Sequence, residues 1–133
     1  MGKLKVSIMD GFSGDTVAAK AQVLSSAGQF LRPLESVNKV GTGDPFFYSE
    51  GVFELDVDSG PARITIERGT EYSPKVVSID MPASGLKSID VEIERWNDLP
   101  EQGWHPGNTH IHYDEKEKNP DKRLYLDLSL IHI

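Results

Sequence analysis

The sequence predicts an all-β fold, an antiparallel β-sandwich of Greek-key type with six or seven strands. Short segments alternate apolar and polar residues, as half-buried strands do. Clusters of Gly, Pro, Asp and Ser separate these segments and supply turn residues. The chain has 133 residues, the length of one ordinary domain, and can therefore bury a core of its own.

The first two predicted strands lie before residue 25. Residues 4–8 alternate apolar and polar side chains, and turn residues follow at 10–15. Residues 17–23 are also expected to form a strand, because their apolar side chains share one parity. A helix is the alternative for this alanine-containing segment, but it has no capping pattern and no 3.6-residue period. Residues 29–45 contain Pro33 and Pro45 and are expected to form a long loop.

An aromatic run precedes the next predicted strand. Residues 46–48 are Phe-Phe-Tyr, and Glu50-Gly51 then leads into residues 52–57, a pattern typical of a β-hairpin. Alternation places Phe53, Leu55 and Val57 in the core. The aromatic run has two interpretations, a sugar-stacking platform or core packing. Core packing is favoured because alternate faces divide the three rings and because phenylalanine is usually buried.

Three more strands complete the predicted sandwich. Residues 62–66, 76–81 and 89–93 each alternate apolar and polar side chains. Turn residues at 58–61 precede the first of these strands, Gly69 and Pro74 separate the first two, and turn residues at 82–85 separate the last two. With the earlier segments they give the six or seven strands of the predicted fold.

Composition excludes several classes of partner. The formal net charge is −7 and basic residues form no cluster, so we expect no nucleic-acid or anionic-membrane partner. The chain has no cysteine, which excludes disulfides and thiolate metal sites. No apolar run is long enough to span a membrane, and the start of the sequence lacks the apolar region of a signal peptide. A cytoplasmic protein is therefore expected.

Residues 103–114 gather the side chains that can carry chemistry. If residues 108–113 are extended, His110 and His112 leave the same face and can bind one metal ion. Asp114 continues the same parity, and a carboxylate beside two imidazoles suits Zn, Mn or Fe better than Ca or Mg. The alternative is a solvated His-x-His pair that arises by chance. The sequence therefore indicates a metal site at His110, His112 and Asp114, with this alternative open.

The same segment resembles the opening motif of the PHP-type metal-dependent hydrolases, and more narrowly the CehA/McbA family of metallohydrolases. The matching residues are Gly103, Trp104, Gly107, Thr109, His110 and His112. Asn108 stands where the family usually has Asp, so an amide replaces the carboxylate that would orient a histidine from outside the metal's ligand set. The resemblance implies a divalent-metal hydrolase acting on a small-molecule substrate. Its first barrel strand would hold His110 and His112.

The predicted sandwich resembles the carboxypeptidase regulatory-like, transthyretin-like group of domains. The resemblance lies in a Ser-Gly-Pro turn at residues 59–61 and an Arg-Gly-x-x-Tyr corner at residues 68–72. It implies an accessory β module, without catalytic residues, that packs beside a catalytic domain.

The predicted domain organisation follows from these segments. Residues 1–96 form the sandwich, 97–103 a polar linker, and 104–127 the start of a truncated hydrolase domain with the first strand of an α/β barrel. Trp96 and Trp104 bracket the linker, either as anchors between modules or as walls of a ligand cleft. Residues 128–133, Leu-Ser-Leu-Ile-His-Ile, permit a strand that continues the alternation from Leu124. They also look like translated sequencing adapter, the interpretation we favour.

Two functions are compatible with this organisation. The first is the N-terminal part of a hydrolase that cleaves ester, amide or phosphate bonds, inactive as this fragment because the remaining metal ligands lie in the rest of the hydrolase domain. The second is a stand-alone binding or interaction module in which the His pair is incidental. Further His and Asp motifs downstream would favour the first function.

Overall fold

The computed structural model describes residues 1–39, 41–107, 109–110 and 119–131, and it confirms the predicted all-β sandwich. Two β-sheets pack face to face, and one helix follows them. The elements are β1 (Gly2–Asp10), β2 (Ala19–Leu24), β3 (Phe30–Leu31), β4 (Val37–Asn38), β5 (Phe47–Ser49), β6 (Val52–Val57), β7 (Gly60–Glu67), β8 (Lys75–Met81), β9 (Leu86–Ile93) and α1 (Pro120–Ile131).

The two sheets differ in size and in strand direction. The smaller sheet has the order β6-β1-β9, in which β1 is antiparallel to β6 and parallel to β9. The larger sheet has the order β4-β5-β2-β7-β8 and is antiparallel. β5 pairs with the start of β2, and β3 pairs with its end. Because β1 and β9 are parallel, their carboxyl ends lie at the same edge of the smaller sheet.

The core lies between the sheets and uses the side chains that alternation predicts. Leu4, Val6 and Ile8 of β1 are fully buried, and so are Ile64 and Ile66 of β7. β6 alternates exposed and buried residues along its whole length. Each strand therefore presents one apolar face inward, as a two-sheet sandwich requires.

The three aromatic residues divide between the two faces of the larger sheet. Phe47 points into the core and packs edge-on against Phe53 of the other sheet, with ring centroids 4.9 Å apart. Tyr48 is also buried, but it belongs to a second apolar cluster with Phe46 and Val37. The core interpretation of this run therefore agrees with the structure.

Two local predictions were wrong. Residues 46–57 do not form a hairpin, because β5 pairs with β2 and β4 in one sheet whereas β6 pairs with β1 in the other. The chain crosses between sheets at Gly51 instead of reversing beside itself. The expected long loop over residues 29–45 contains the two-residue strands β3 and β4, so that the described part of the chain has nine strands rather than six or seven.

Residues 120–131 form helix α1, so the strand that the sequence permits over residues 124–130 does not form, and the interpretation of residues 128–133 as translated adapter stays a prediction. Leu126 and Leu130 are buried against Tyr48, Phe46 and Val37. They are four positions apart and therefore lie on one face of a helix. In the residues that the structure describes, no helix has the length and apolar character needed to cross a membrane.

Polar contacts also hold α1 against the sandwich. The Tyr48 hydroxyl donates a hydrogen bond to the Asp127 carboxylate. Lys122 Nζ of the helix lies 2.8 Å from Glu50 Oε1 of the sandwich, and within the helix Arg123 Nε lies 3.6 Å from Asp127 Oδ2. The helix thus covers the outer face of β5, on the opposite side of the sheet from Phe47.

Candidate functional site

The predicted metal-binding segment is described only in part. His110 is exposed, and neither it nor Thr109 lies in a strand. Asn108, His112 and Asp114 lie outside the described residues, as does most of the predicted barrel strand. Among the residues that are described, no group of three or more His, Asp or Glu side chains is arranged to hold a metal ion. The site at His110, His112 and Asp114 therefore stays a prediction.

The segment between β9 and His110 is folded into hydrogen-bonded turns. The Gln102 and Trp104 backbone N–H groups both donate to the Leu99 carbonyl, at 3.0 and 2.9 Å. The Asp98 carboxylate accepts the Glu101 N–H at 3.1 Å. The Trp104 side chain emerges from these turns with 71% of its surface exposed. A ring of this size is thus available for contact with another surface.

A cleft of about 880 Å³ opens at the edge where the parallel strands β1 and β9 end. One wall is the turn after β1, residues 10–13, and the other is the segment after β9, residues 94–101. Parallel pairing is the reason that two segments more than 80 positions apart face each other here. The cleft is comparable in size to the pockets that bind small ligands in proteins.

Two aromatic rings stand exposed on opposite walls of this cleft. Phe12 is 100% exposed and Trp96 is 66% exposed. The Phe12 backbone N–H donates to Asp10 Oδ1 at 2.8 Å, and the Trp96 indole Nε1–H donates to the Thr70 carbonyl at 2.8 Å. These contacts fix the loop that carries the first ring and the orientation of the second. The structure places Trp96 on the wall of a cleft, and its other predicted role, as an anchor between modules, stays a prediction.

A buried polar cluster supports the floor of the cleft. Asp10 accepts hydrogen bonds from the Tyr72 hydroxyl and from the backbone N–H groups of Phe12 and Ser13. Burial raises the pKa of the Asp10 carboxyl, but these hydrogen bonds and the charge of Arg95 outweigh burial, so that the pKa lies below its ordinary value. Burial and the bond to Asp10 raise the pKa of Tyr72. Asp10 is therefore a carboxylate held in its charged form.

Arg95 links this cluster to the cleft wall. Its guanidinium lies 5.2 Å from the centroid of the Tyr72 ring. It also pairs with Asp98 Oδ2 at 2.8 Å and lies 3.8 Å from the buried Glu71 carboxylate. Arg95 Nε and Glu71 Oε2, the two atoms of this 3.8 Å pair, are buried and make no hydrogen bond within the part of the chain that the structure describes. The Arg95 guanidinium in the cleft is thus already paired with carboxylates of the same chain.

Sequence reasoning missed this cleft. It treated Asp10-Gly11 as a turn and Arg68 to Tyr72 as a corner of the sandwich, and it assigned no role in a site to Phe12 or Arg95. The signal available in the sequence is a phenylalanine within the predicted turn at residues 10–15, because turns favour small polar residues. The pairing of β1 with β9, which assembles the two walls, has no local signature in the sequence.

Comparisons with known proteins support the fold only. No protein-family model matches this chain, and no curated protein matches it. The structure is similar to that of the Bacillus anthracis TIE protein, with a TM-score of 0.51 and 12% sequence identity. The similarity covers 71% of this chain and 17% of that chain. At this identity the likeness indicates a shared fold, and this chain spans less than a fifth of the length of that protein.

Proposed function

We propose that this chain is the N-terminal part of a metal-dependent hydrolase of the CehA/McbA type, an accessory β-sandwich joined to the first metal-ligand segment. The supporting observation is the place of the motif in the chain. The sandwich closes at β9, and residues 103–112, which resemble the opening motif of that family, follow it in the chain.

In this proposal His110 and His112 bind the metal, and Asp114 is a third candidate ligand. Two imidazoles and a carboxylate suit Zn, Mn or Fe. Asn108 would accept a hydrogen bond from a ligating histidine and orient it. His110 itself is exposed. When bound, the metal would activate water for attack on an ester, amide or phosphate.

The remaining ligands would come from the rest of the hydrolase domain. On their own, His110, His112 and Asp114 would hold a metal weakly, because the barrel that excludes water and fixes their geometry is needed as well. The exposed Trp104 ring, which immediately precedes the His segment, would pack against that domain. We expect no nucleic-acid or membrane partner. The cytoplasmic location is also a proposal, tested by fractionating cells that express the full-length gene.

Titration calorimetry with Zn²⁺ and Mn²⁺ tests the proposed ligands. The wild-type chain should bind weakly, with an affinity that falls in mild acid because protons compete for the imidazole nitrogens. Changing His110 and His112 together to Ala should abolish most of the binding. His105→Ala is the matched control, since His105 is exposed in the same segment but lies outside the His-x-His pattern.

Each outcome separates the proposal from its alternative. Tight binding that survives the double substitution would place the metal site elsewhere. A wild-type chain that binds neither metal would favour the stand-alone interaction module with an incidental His pair. Sequence downstream of this chain gives an independent test, because the hydrolase requires further His and Asp ligands there.

A further inference from the structure

We propose that the cleft between residues 10–13 and 94–101 binds a basic polypeptide segment, with lysine or arginine side chains seated against Phe12 and Trp96. The inference does not depend on the proposed metal site. It rests on the exposure of the two rings, on the charge of the cleft walls and on the size of the cleft.

The aromatic rings of Phe12 and Trp96 can bind cations. A Lys ammonium or Arg guanidinium over an aromatic face is attracted by the ring quadrupole, most strongly for tryptophan. Phe12 is entirely exposed, and Trp96 exposes two-thirds of its surface while its indole N–H is bonded to Thr70. That bond leaves a fixed ring face open to the cleft. The residue that binds there therefore gains contact area without having to reorder the ring.

The charges of the lining favour the same ligand. Four carboxylates and one guanidinium line the cleft. Asp10 is hydrogen-bonded to Tyr72, and Asp98 is paired with Arg95. Glu94 and Glu101 are exposed, and neither forms an ion pair within the part of the chain that the structure describes. Two carboxylates thus remain beside two aromatic rings, and the one cation present is already engaged.

The dimensions point to a peptide rather than to a single small cation. At about 880 Å³ the cleft is near the upper limit of small-molecule pockets, so it accommodates several side chains. Its cation-binding groups are spread over both walls, with Phe12 on one and Trp96, Glu94 and Glu101 on the other. A segment with two or more basic side chains can use these groups together.

Trp96 fluorescence provides the test. The chain has two tryptophans, so Trp104→Phe leaves Trp96 as the single reporter. In that background the full chain is titrated with the peptides Gly-Arg-Arg-Gly and Gly-Lys-Lys-Gly, and with Gly-Gln-Gln-Gly as a neutral control. The basic peptides should change Trp96 emission saturably, and the neutral peptide should not. Butylammonium should bind at least about tenfold more weakly, because it occupies one cation position.

Substitutions then separate a defined site from general charge attraction. Phe12→Ser, and Glu94→Gln combined with Glu101→Gln, should each weaken basic-peptide binding by about fivefold or more. Asp56→Asn combined with Asp80→Asn removes the same charge at exposed positions far from the cleft. This control should change the affinity by less than about twofold.

Three results would overturn the proposal: no saturable response to either basic peptide, equal binding of the neutral peptide, or equal losses in the cleft and control variants. Equal losses would mean that the net charge of the chain, and not the cleft, attracts the basic peptides. Changing His110 and His112 to Ala should leave peptide binding unaltered, so that failure of the metal proposal and failure of this one are distinguishable.

Discussion

The Tyr72 hydroxyl is hydrogen-bonded to the Asp10 carboxylate across 62 positions of sequence, at the edge where β1 and β9 end. Both residues are buried. The bond connects the end of the smaller sheet to the turn after β7 in the larger one. It therefore fastens the two sheets together directly beneath the cleft.

Removing this hydroxyl should destabilise the protein. Tyr72→Phe keeps the ring that packs in the core but leaves a buried carboxylate with one donor fewer. We expect the free energy of unfolding to fall by about 1–3 kcal/mol, the usual cost of losing a hydrogen bond to a charged group. Urea denaturation followed by circular dichroism measures it. Tyr125→Phe, at an exposed tyrosine of α1, is the control and should change stability by less than about 0.5 kcal/mol.

The Asp10 pKa predicts a dependence of stability on acid. Because the folded-state pKa is depressed, the ionised carboxylate stabilises the fold, and this contribution is complete above the ordinary aspartate pKa of about 3.9. It is lost as the pH falls from there through the folded-state pKa. Asp10→Asn should lower stability at neutral pH and flatten the loss of stability in acid, measured by urea denaturation between about pH 2 and pH 7. Equal acid slopes for wild type and variant would show that Asp10 is not the group responsible.

The two-residue periodicity predicted which residues face the core, because burial in a sandwich is a local consequence of alternation. Leu4, Ile64 and Leu55 lie where it placed them. Pairing partners could not be predicted in the same way. Glu50-Gly51 resembles a hairpin turn, but a short turn does not specify whether the next strand returns to its neighbour or crosses to the other sheet.

Helix α1 shows a competing periodicity. Leucines at 124, 126, 128 and 130 alternate as in a strand. In a helix Leu126 and Leu130 share one face, whereas Leu124 and Leu128 share another. The helix start was visible in Pro120 and Asp121, since proline is favoured at the first helical position and an acidic residue in the first turn.

The strands β3 and β4 have two residues each, too few for any period. The cleft was missed because its walls are joined only by long-range pairing.

Gly51 should be more sensitive to substitution than another glycine of similar backbone conformation. It has φ of 127°, and a Cβ there would lie 2.4 Å from Thr16 Cγ2. Gly60 has φ of 108°, and no atom of the described residues lies within 4 Å of its Cβ position. Gly60→Ala should therefore cost about 1–2 kcal/mol for backbone strain. Gly51→Ala should cost about 1 kcal/mol more, because the Thr16 methyl group must move. Denaturant midpoints of the two variants, compared directly, test the difference, and equal losses would contradict the predicted clash.

Residues 1–96 should fold without the rest of the chain. They contain all nine described strands and every member of the main core cluster, which ends at Ile93. Truncation removes α1, exposes Tyr48 and breaks the ion pair between Arg95 and Asp98. We therefore expect a cooperative melt with β-type circular dichroism and a free energy of unfolding lower by about 1–2 kcal/mol, from the apolar area uncovered.

Leu126→Ser in the full chain is the matched comparison, because it removes the main apolar contact of α1 and should produce a loss of stability of similar size. A truncated chain that melts without cooperativity would mean that the C-terminal segment is part of the folding unit.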